Sequence, residues 1–238
     1  MKFNENGWLS ESDKMELIPT EIVKEVKPKM LGLVWMRPTE TENRVGFAKD
    51  RALSFQKAKP GTAFFSVHFI IDRDGKIYQL SSVDKSAQHI NVGGVLQKLR
   101  IESISQATVS IEMVNGGTCR FVSGRFYSYP YYFSRLDTRS RIRIPEPSMG
   151  GDPRYLLDEQ KVETVQTQTG REYAEKFPDA QLASAEELIA ALVDKFKWER
   201  QDCMHAPSNF DRSLASRDLG VFWHSYVLPR LIEKVWKR

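Results

Sequence analysis

The sequence predicts an α/β domain built on a single mixed β-sheet flanked by helices, and three segments carry that prediction. Phe64 to Ile71 and Lys76 to Leu80 are β-branched and aromatic runs joined by Asp72-Arg-Asp-Gly75. An Asp-Gly pair between two such runs is the strongest short-range hairpin signal, because glycine accepts positive φ in a tight reversal. Ala107-Thr-Val-Ser-Ile-Glu-Met-Val114 is a further strand, ended by Asn115-Gly-Gly117. Asp179 to Phe196 sets Leu182, Ala185, Leu188, Ile189, Leu192 and Phe196 on one face at helical spacing. Strands come first and helices follow to cover them, which makes one layered sheet the economical architecture.

The remaining elements follow in chain order. Residues 1–29 mix charge and polarity and are expected to form an arm or short helix ahead of a domain spanning 30–238. Met30-Leu-Gly-Leu-Val-Trp-Met36, closed by Arg37-Pro38, reads as a buried strand. Thr41 to Lys57 carries Val45, Phe47, Ala48, Leu53 and Phe55 among charges, a weakly periodic helix. Val221 to Trp236 reads as a closing amphipathic helix interrupted by Pro229. Between strands and helices lies Thr118 to Phe177, an insertion too long for an ordinary connection. Its first half interleaves Arg120, Arg125, Arg135, Arg139, Arg141 and Arg143 with seven aromatics from Phe121 to Phe133. Arginine with aromatics grips sugars, phosphates or bases; a strand pair with a basic solvent face accounts for the same pattern.

Composition excludes several classes. A chain of 238 residues, 41% hydrophobic, can bury a real core and is not a disordered or fibrous chain. No apolar run approaches a membrane span, and Met1 to Asp13 lacks the apolar centre of a secretory leader. The expectation is a soluble chain made in the cytoplasm. Cys119 and Cys203 stand far apart in no CxxC pattern, which argues against a disulfide scaffold and a cysteine–zinc site. A net charge of +4 suits an anionic partner but is common on ordinary surfaces. Nucleic acid is not expected, since no recognition motif accompanies the charge.

Four histidines, His68, His89, His205 and His224, are the natural places to look for chemistry. Ser66-Val-His-Phe-Ile-Ile-Asp-Arg-Asp-Gly-Lys-Ile-Tyr-Gln-Leu80, followed by Ala87-Gln-His89, resembles the N-acetylmuramoyl-L-alanine amidase type 2 family, whose fold is shared with peptidoglycan recognition proteins. Val109 to Asn115 resembles that family's next strand. Phe177 to Leu182 resembles the start of its following helix, and Asp218 to Trp223 its D-P-G-x-x-F segment. The pieces occur in the family's order across most of Met30 to Trp236.

The resemblance implies a zinc-dependent hydrolase that cuts the amide between N-acetylmuramic acid and L-alanine in peptidoglycan. In such sites three protein ligands hold Zn²⁺ and leave a fourth position for water. Carried over residue by residue, His205 and Asp218 match metal ligands, and Glu112 matches the general base. Arg217 stands one residue from where the family carries an oxyanion-stabilising lysine, a place held here by Ser216. His68 and His89 match histidines beside the site, and Arg120 and Arg125 lie in the insertion as candidate substrate contacts. With no secretory leader, a phage-type or other non-Sec route would bring such a protein to the wall.

One position departs from the family. Its first ligand is a histidine ending the first strand, whereas Leu33-Val-Trp-Met-Arg-Pro-Thr39 puts Met36 there, and a thioether is a poor donor for catalytic zinc. Three readings stay open: a shifted strand register, His68 recruited as the replacement ligand, or a lost metal site on a protein that binds peptidoglycan or muropeptides without cutting them.

Overall fold

The computed structural model describes residues 1–10, 13–20, 34–35, 46–57, 67–87, 108–115, 118–122, 124–128, 133–136, 143–145, 156–167, 170–200, 203 and 228–237. Its centre is a mixed sheet of five strands: β1 (Met15–Leu17), β2 (Val34–Trp35), β3 (Phe69–Ile71), β4 (Ile77–Gln79) and β5 (Val109–Met113). Their order is β1-β4-β3-β5-β2. Only the β3–β4 hairpin is antiparallel; β4 runs parallel to β1, and β5 runs parallel to both β3 and β2.

The hairpin forms where Asp-Gly predicts it. Gly75 has φ +86°, and a Cβ there would lie 2.6 Å from the Ala180 carbonyl oxygen, so both the turn and its close approach to a helix require glycine. That helix, α2 (Asp179–Phe196; α1 is described below), spans the predicted residues. Ser184 donates to the Gly75 carbonyl at 2.6 Å. The buried Gln181 amide donates to the Ile71 and Val114 carbonyls at 2.9 and 3.0 Å, tying the ends of β3 and β5 to α2. Ala185, Leu188, Ile189 and Leu192 then cover Phe69, Ile71, Ile77, Val109, Ile111 and Met113. Helix α3 (Leu228–Trp236) closes the same core with Leu228, Leu231 and Ile232. Pro229 stands in the first turn of this helix, where a proline's missing N–H has no intrahelical partner to lose; residues 221–227 of the expected helix lie outside the described residues.

The other face of the sheet is covered by α1 (Phe47–Gln56). Ala48, Ala52 and Phe55 pack there against Val67, Ile70, Tyr78 and Leu80. Asp72 fixes where the helix starts. Its buried carboxylate accepts from the Gly46 N–H, ahead of the first turn, and from the Arg73 N–H, both at 2.7 Å. Burial, helped by the nearby Asp74 charge, pushes this carboxyl above its usual range despite those bonds.

Two expectations change in shape. The described part of residues 1–29, expected as an arm or short helix, is built into the fold. Met15–Leu17 forms the edge strand β1, Leu9 lies in the core, and Gln79 accepts from the Leu9 N–H and donates to the Gly7 carbonyl. The insertion forms a second, antiparallel sheet from β6 (Thr118–Val122), β7 (Arg125–Ser128), β10 (Leu156–Leu157), β11 (Val162–Thr167) and β12 (Gly170–Glu175), in the order β10-β7-β6-β12-β11. A separate pair, β8 (Phe133–Leu136) and β9 (Arg143–Pro145), accompanies it. The second sheet is anchored at its base by Arg73–Glu175 at 3.1 Å and by Ala174 and Phe177 in the main core.

Candidate functional site

The covered face under α1 is where the chemistry-bearing residues of the described chain meet. β3 and β5 run parallel in register, with Ile70 opposite Glu112, so His68 aligns with Ser110 two positions earlier. Side chains alternate across a strand, so Val109, Ile111 and Met113 enter the apolar core while Ser110 and Glu112 share the opposite face with His68. All three polar residues are fully buried.

His68 is held at both ring nitrogens. Nδ1 accepts from the Ser110 backbone N–H at 3.1 Å and lies 3.0 Å from the Ser110 hydroxyl. That leaves Nε2 carrying the proton, and it donates to the Lys85 carbonyl at 2.8 Å. Ser110 Oγ also accepts from the His68 backbone N–H at 3.0 Å. Burial drives the imidazole pKa down to about 4, so the ring is neutral at physiological pH. A neutral imidazole ligates metal through a lone pair, and here the lone pair on Nδ1 is occupied. As placed, His68 is a strut between β3, β5 and the chain at Lys85, and it does not fit the part of a metal ligand.

Glu112 is 0% exposed and forms an ion pair with Arg51, whose Nε donates to Oε1 at 2.9 Å. A buried carboxylate without a countercharge costs on the order of several kcal/mol, which is why the pairing matters to the strand as well as to any chemistry. The Arg51 guanidinium lies over the Phe55 ring, 4.8 Å from its centroid. Arg51 and Phe55 are four apart, one turn of α1, and so share a helix face. Sequence reasoning singled out Glu112 but missed Arg51 and Ser110. Ser110 was legible by alternation with Glu112; nothing local marked Arg51.

The other candidates fall differently. Met36, His89, His205, Arg217 and Asp218 lie outside the described residues. In β2, Val34 stands opposite Val109 and Trp35 opposite Ser110, so the register position level with Ser110 belongs to residue 35, one before Met36. Arg120 and Arg125 are on the second sheet, opposite Tyr127 and Val122. Arg125 is exposed, and among the described residues no hydrogen bond or ion pair joins it to Glu112 or His68. Nearby, Phe121, Phe126 and Tyr173 cluster with ring centroids 4.8 to 6.1 Å apart, and Phe121 is 51% exposed. Among the described residues no group of three His, Cys, Asp or Glu side chains is placed to hold a metal ion. Nor is any described helix long and apolar enough to cross a membrane.

Comparison with known proteins adds the family. The model of the N-acetylmuramoyl-L-alanine amidase family (Amidase_2) matches residues 34–225. No curated protein matches the chain. Among solved structures, a selenomethionine derivative of AmpD is similar with a TM-score of 0.44 and 16% identity, over 82% of this chain and 80% of that one. The amidase LysC from Clostridium intestinale URNW is similar with a TM-score of 0.37 and 11% identity, over 82% and 81%.

Proposed function

The chain belongs to the N-acetylmuramoyl-L-alanine amidase family, and from that premise we propose that it hydrolyses the amide joining N-acetylmuramic acid to L-alanine in peptidoglycan. The observation that carries the reading is Glu112, a buried, charge-paired carboxylate on the strand that resembles the family's base-bearing strand. In this reading Glu112 takes the proton of the attacking water and passes it to the leaving amine. Arg217 steadies the oxygen that becomes negative as the carbonyl is attacked. His205 and Asp218 are the proposed zinc ligands, an imidazole and a carboxylate of the kind zinc accepts. When bound, that metal would acidify water and polarise the amide. His89, Met36, Arg120 and Arg125 remain proposed substrate contacts.

A second reading, a muropeptide-binding protein that does not cut, is favoured by the state of His68. Both of its ring nitrogens are engaged, so it does not stand in for the missing first-strand histidine. The first strand offers tryptophan at 35 and methionine at 36, an indole that only donates and a soft thioether.

One experiment separates them. The full chain, purified without chelator, is analysed for metal and incubated with purified peptidoglycan while free amines are measured. The amidase reading expects about one zinc per chain and amine release that a chelator abolishes and added zinc restores. A metal-free chain that binds muropeptide and releases no amine sinks it in favour of the second reading.

A further inference from the structure

We propose that Arg51 is a positioning residue for the amidase reaction, holding the Glu112 carboxylate oriented and ionised for proton transfer. The inference rests on the reading of Glu112 as the base.

Arg51 is delivered to Glu112 by construction of the helix that bears it. Asp72 fixes the start of α1, and Ala48 and Ala52, both fully buried, let the helix lie close on the sheet. Arg51 lies between these alanines in sequence, and its guanidinium reaches Glu112 on the strand beneath. The contact is side-on, through Nε, with the guanidinium resting on Phe55. A planar cation held at one edge by a carboxylate and on one face by a ring has little freedom to swing, so the carboxylate it grips is fixed too.

The charge matters as much as the geometry. Burial favours the protonated acid, and a protonated Glu112 cannot accept a proton from water. Among the described residues the ionisable or charged side chains on this face include Arg51, His68, Tyr78 and Asp72, the last a buried carboxyl of raised pKa bonded to the Gly46 N–H at the start of α1. Arg51 comes from α1. His68 comes from β3 and is neutral. Tyr78 comes from β4, and burial pushes its phenol up to about 12, so it is neutral as well. Among the described residues Arg51 is the cation seen to grip Glu112, and its charge favours the ionised carboxylate. An opposite charge at this distance lowers a carboxyl pKa by about one to three units.

The test uses Arg51→Gln and Arg51→Lys in the full chain, with two readouts: the pH profile of amine release from peptidoglycan, and the carboxyl ¹³C titration of Glu112, identified with Glu112→Gln. Arg51→Gln is expected to move both the acid limb and the carboxyl titration up by about one to three pH units. Arg51→Lys keeps a point charge but loses the planar side-on donor. It is expected to leave the titration near wild type and to lower kcat with KM unchanged. The idea is overturned if Glu112 in Arg51→Gln titrates as in wild type, or if Arg51→Lys keeps full kcat. Should Arg51→Gln fail to fold, the Arg51→Lys outcome decides alone. A wild-type chain without amine release would defeat the amidase reading, while the carboxyl titration would still report on Arg51.

Discussion

The two faces of the central sheet are equally buried and differently made. Toward α2 and α3 the strands present Phe69, Ile71, Ile77, Val109, Ile111 and Met113, an apolar layer against apolar helices. Toward α1 the same strands present His68, Ser110 and Glu112 beside Ile70 and Tyr78. The first face gains about 1.5–3 kcal/mol for each large aliphatic side chain it hides. The second must pair the polar groups it hides, and it uses an ion pair and four contacts that tie His68 to Ser110 and to the Lys85 carbonyl. The difference teaches where to look: a fold needs only the first kind of face.

The comparison is broken most forcefully from the apolar side. Leu188 is fully buried on α2, packed against the sheet. Leu188→Ala removes that volume and is expected to cost about 2–5 kcal/mol in denaturant unfolding, depending on how far the site collapses. Peptidoglycan activity or muropeptide binding per folded molecule is expected to hold. A loss of function in fully folded Leu188→Ala protein would mean that the two faces are not separable.

The polar face should show itself in acid. Burial holds the His68 pKa in the folded chain down to about 4, below the ordinary histidine value of 6.5. The unfolded chain therefore binds a proton that the folded chain refuses, so stability falls as pH drops below about 6.5 and levels off near 4. Over that window the loss is on the order of 3 kcal/mol. The measurement is the unfolding free energy between pH 7 and 4 for wild type and His68→Gln, with the variant expected to be flatter. Parallel curves would show that burial of His68 is not what couples stability to pH.

How much of this was legible beforehand follows from range. The hairpin and α2 were readable because Asp74-Gly75 and the spacing from Leu182 to Phe196 are local signals. Strand β1 was not, because three residues held by parallel pairing to Ile77–Gln79 carry no period of their own. The long segment after Gly117 announced itself as an insertion, yet its hairpins lie among polar alternations, as in β11 pairing with β12 from Val162–Glu175 to Thr167–Gly170. In the site, residue type was visible and partnership was not. Glu112 stood out on its strand, but the cation that pairs with it is 61 positions away on a helix whose buried face is mostly alanine. His68 looked like a spare metal ligand until its two nitrogens were seen to be bound to Ser110 and Lys85.

The smallest change sharpens the comparison furthest. Ser110→Ala deletes one hydroxyl from the polar face and leaves the backbone N–H to His68 Nδ1 in place. The His68 backbone N–H loses its acceptor, since Ser110 Oγ is what it donates to. A buried donor left unsatisfied costs about 1–3 kcal/mol, so a modest loss of stability is expected. The same hydroxyl removed from an apolar face would leave no orphan behind. Because Nδ1 keeps the Ser110 N–H and Nε2 keeps the Lys85 carbonyl, the tautomer should persist, readable from the ring ¹⁵N shifts. If the ring switched its proton to Nδ1 in Ser110→Ala, the hydroxyl would be what sets the histidine's state. A nitrogen lone pair would then be released at Nε2, and His68 would regain the chemistry of a ligand.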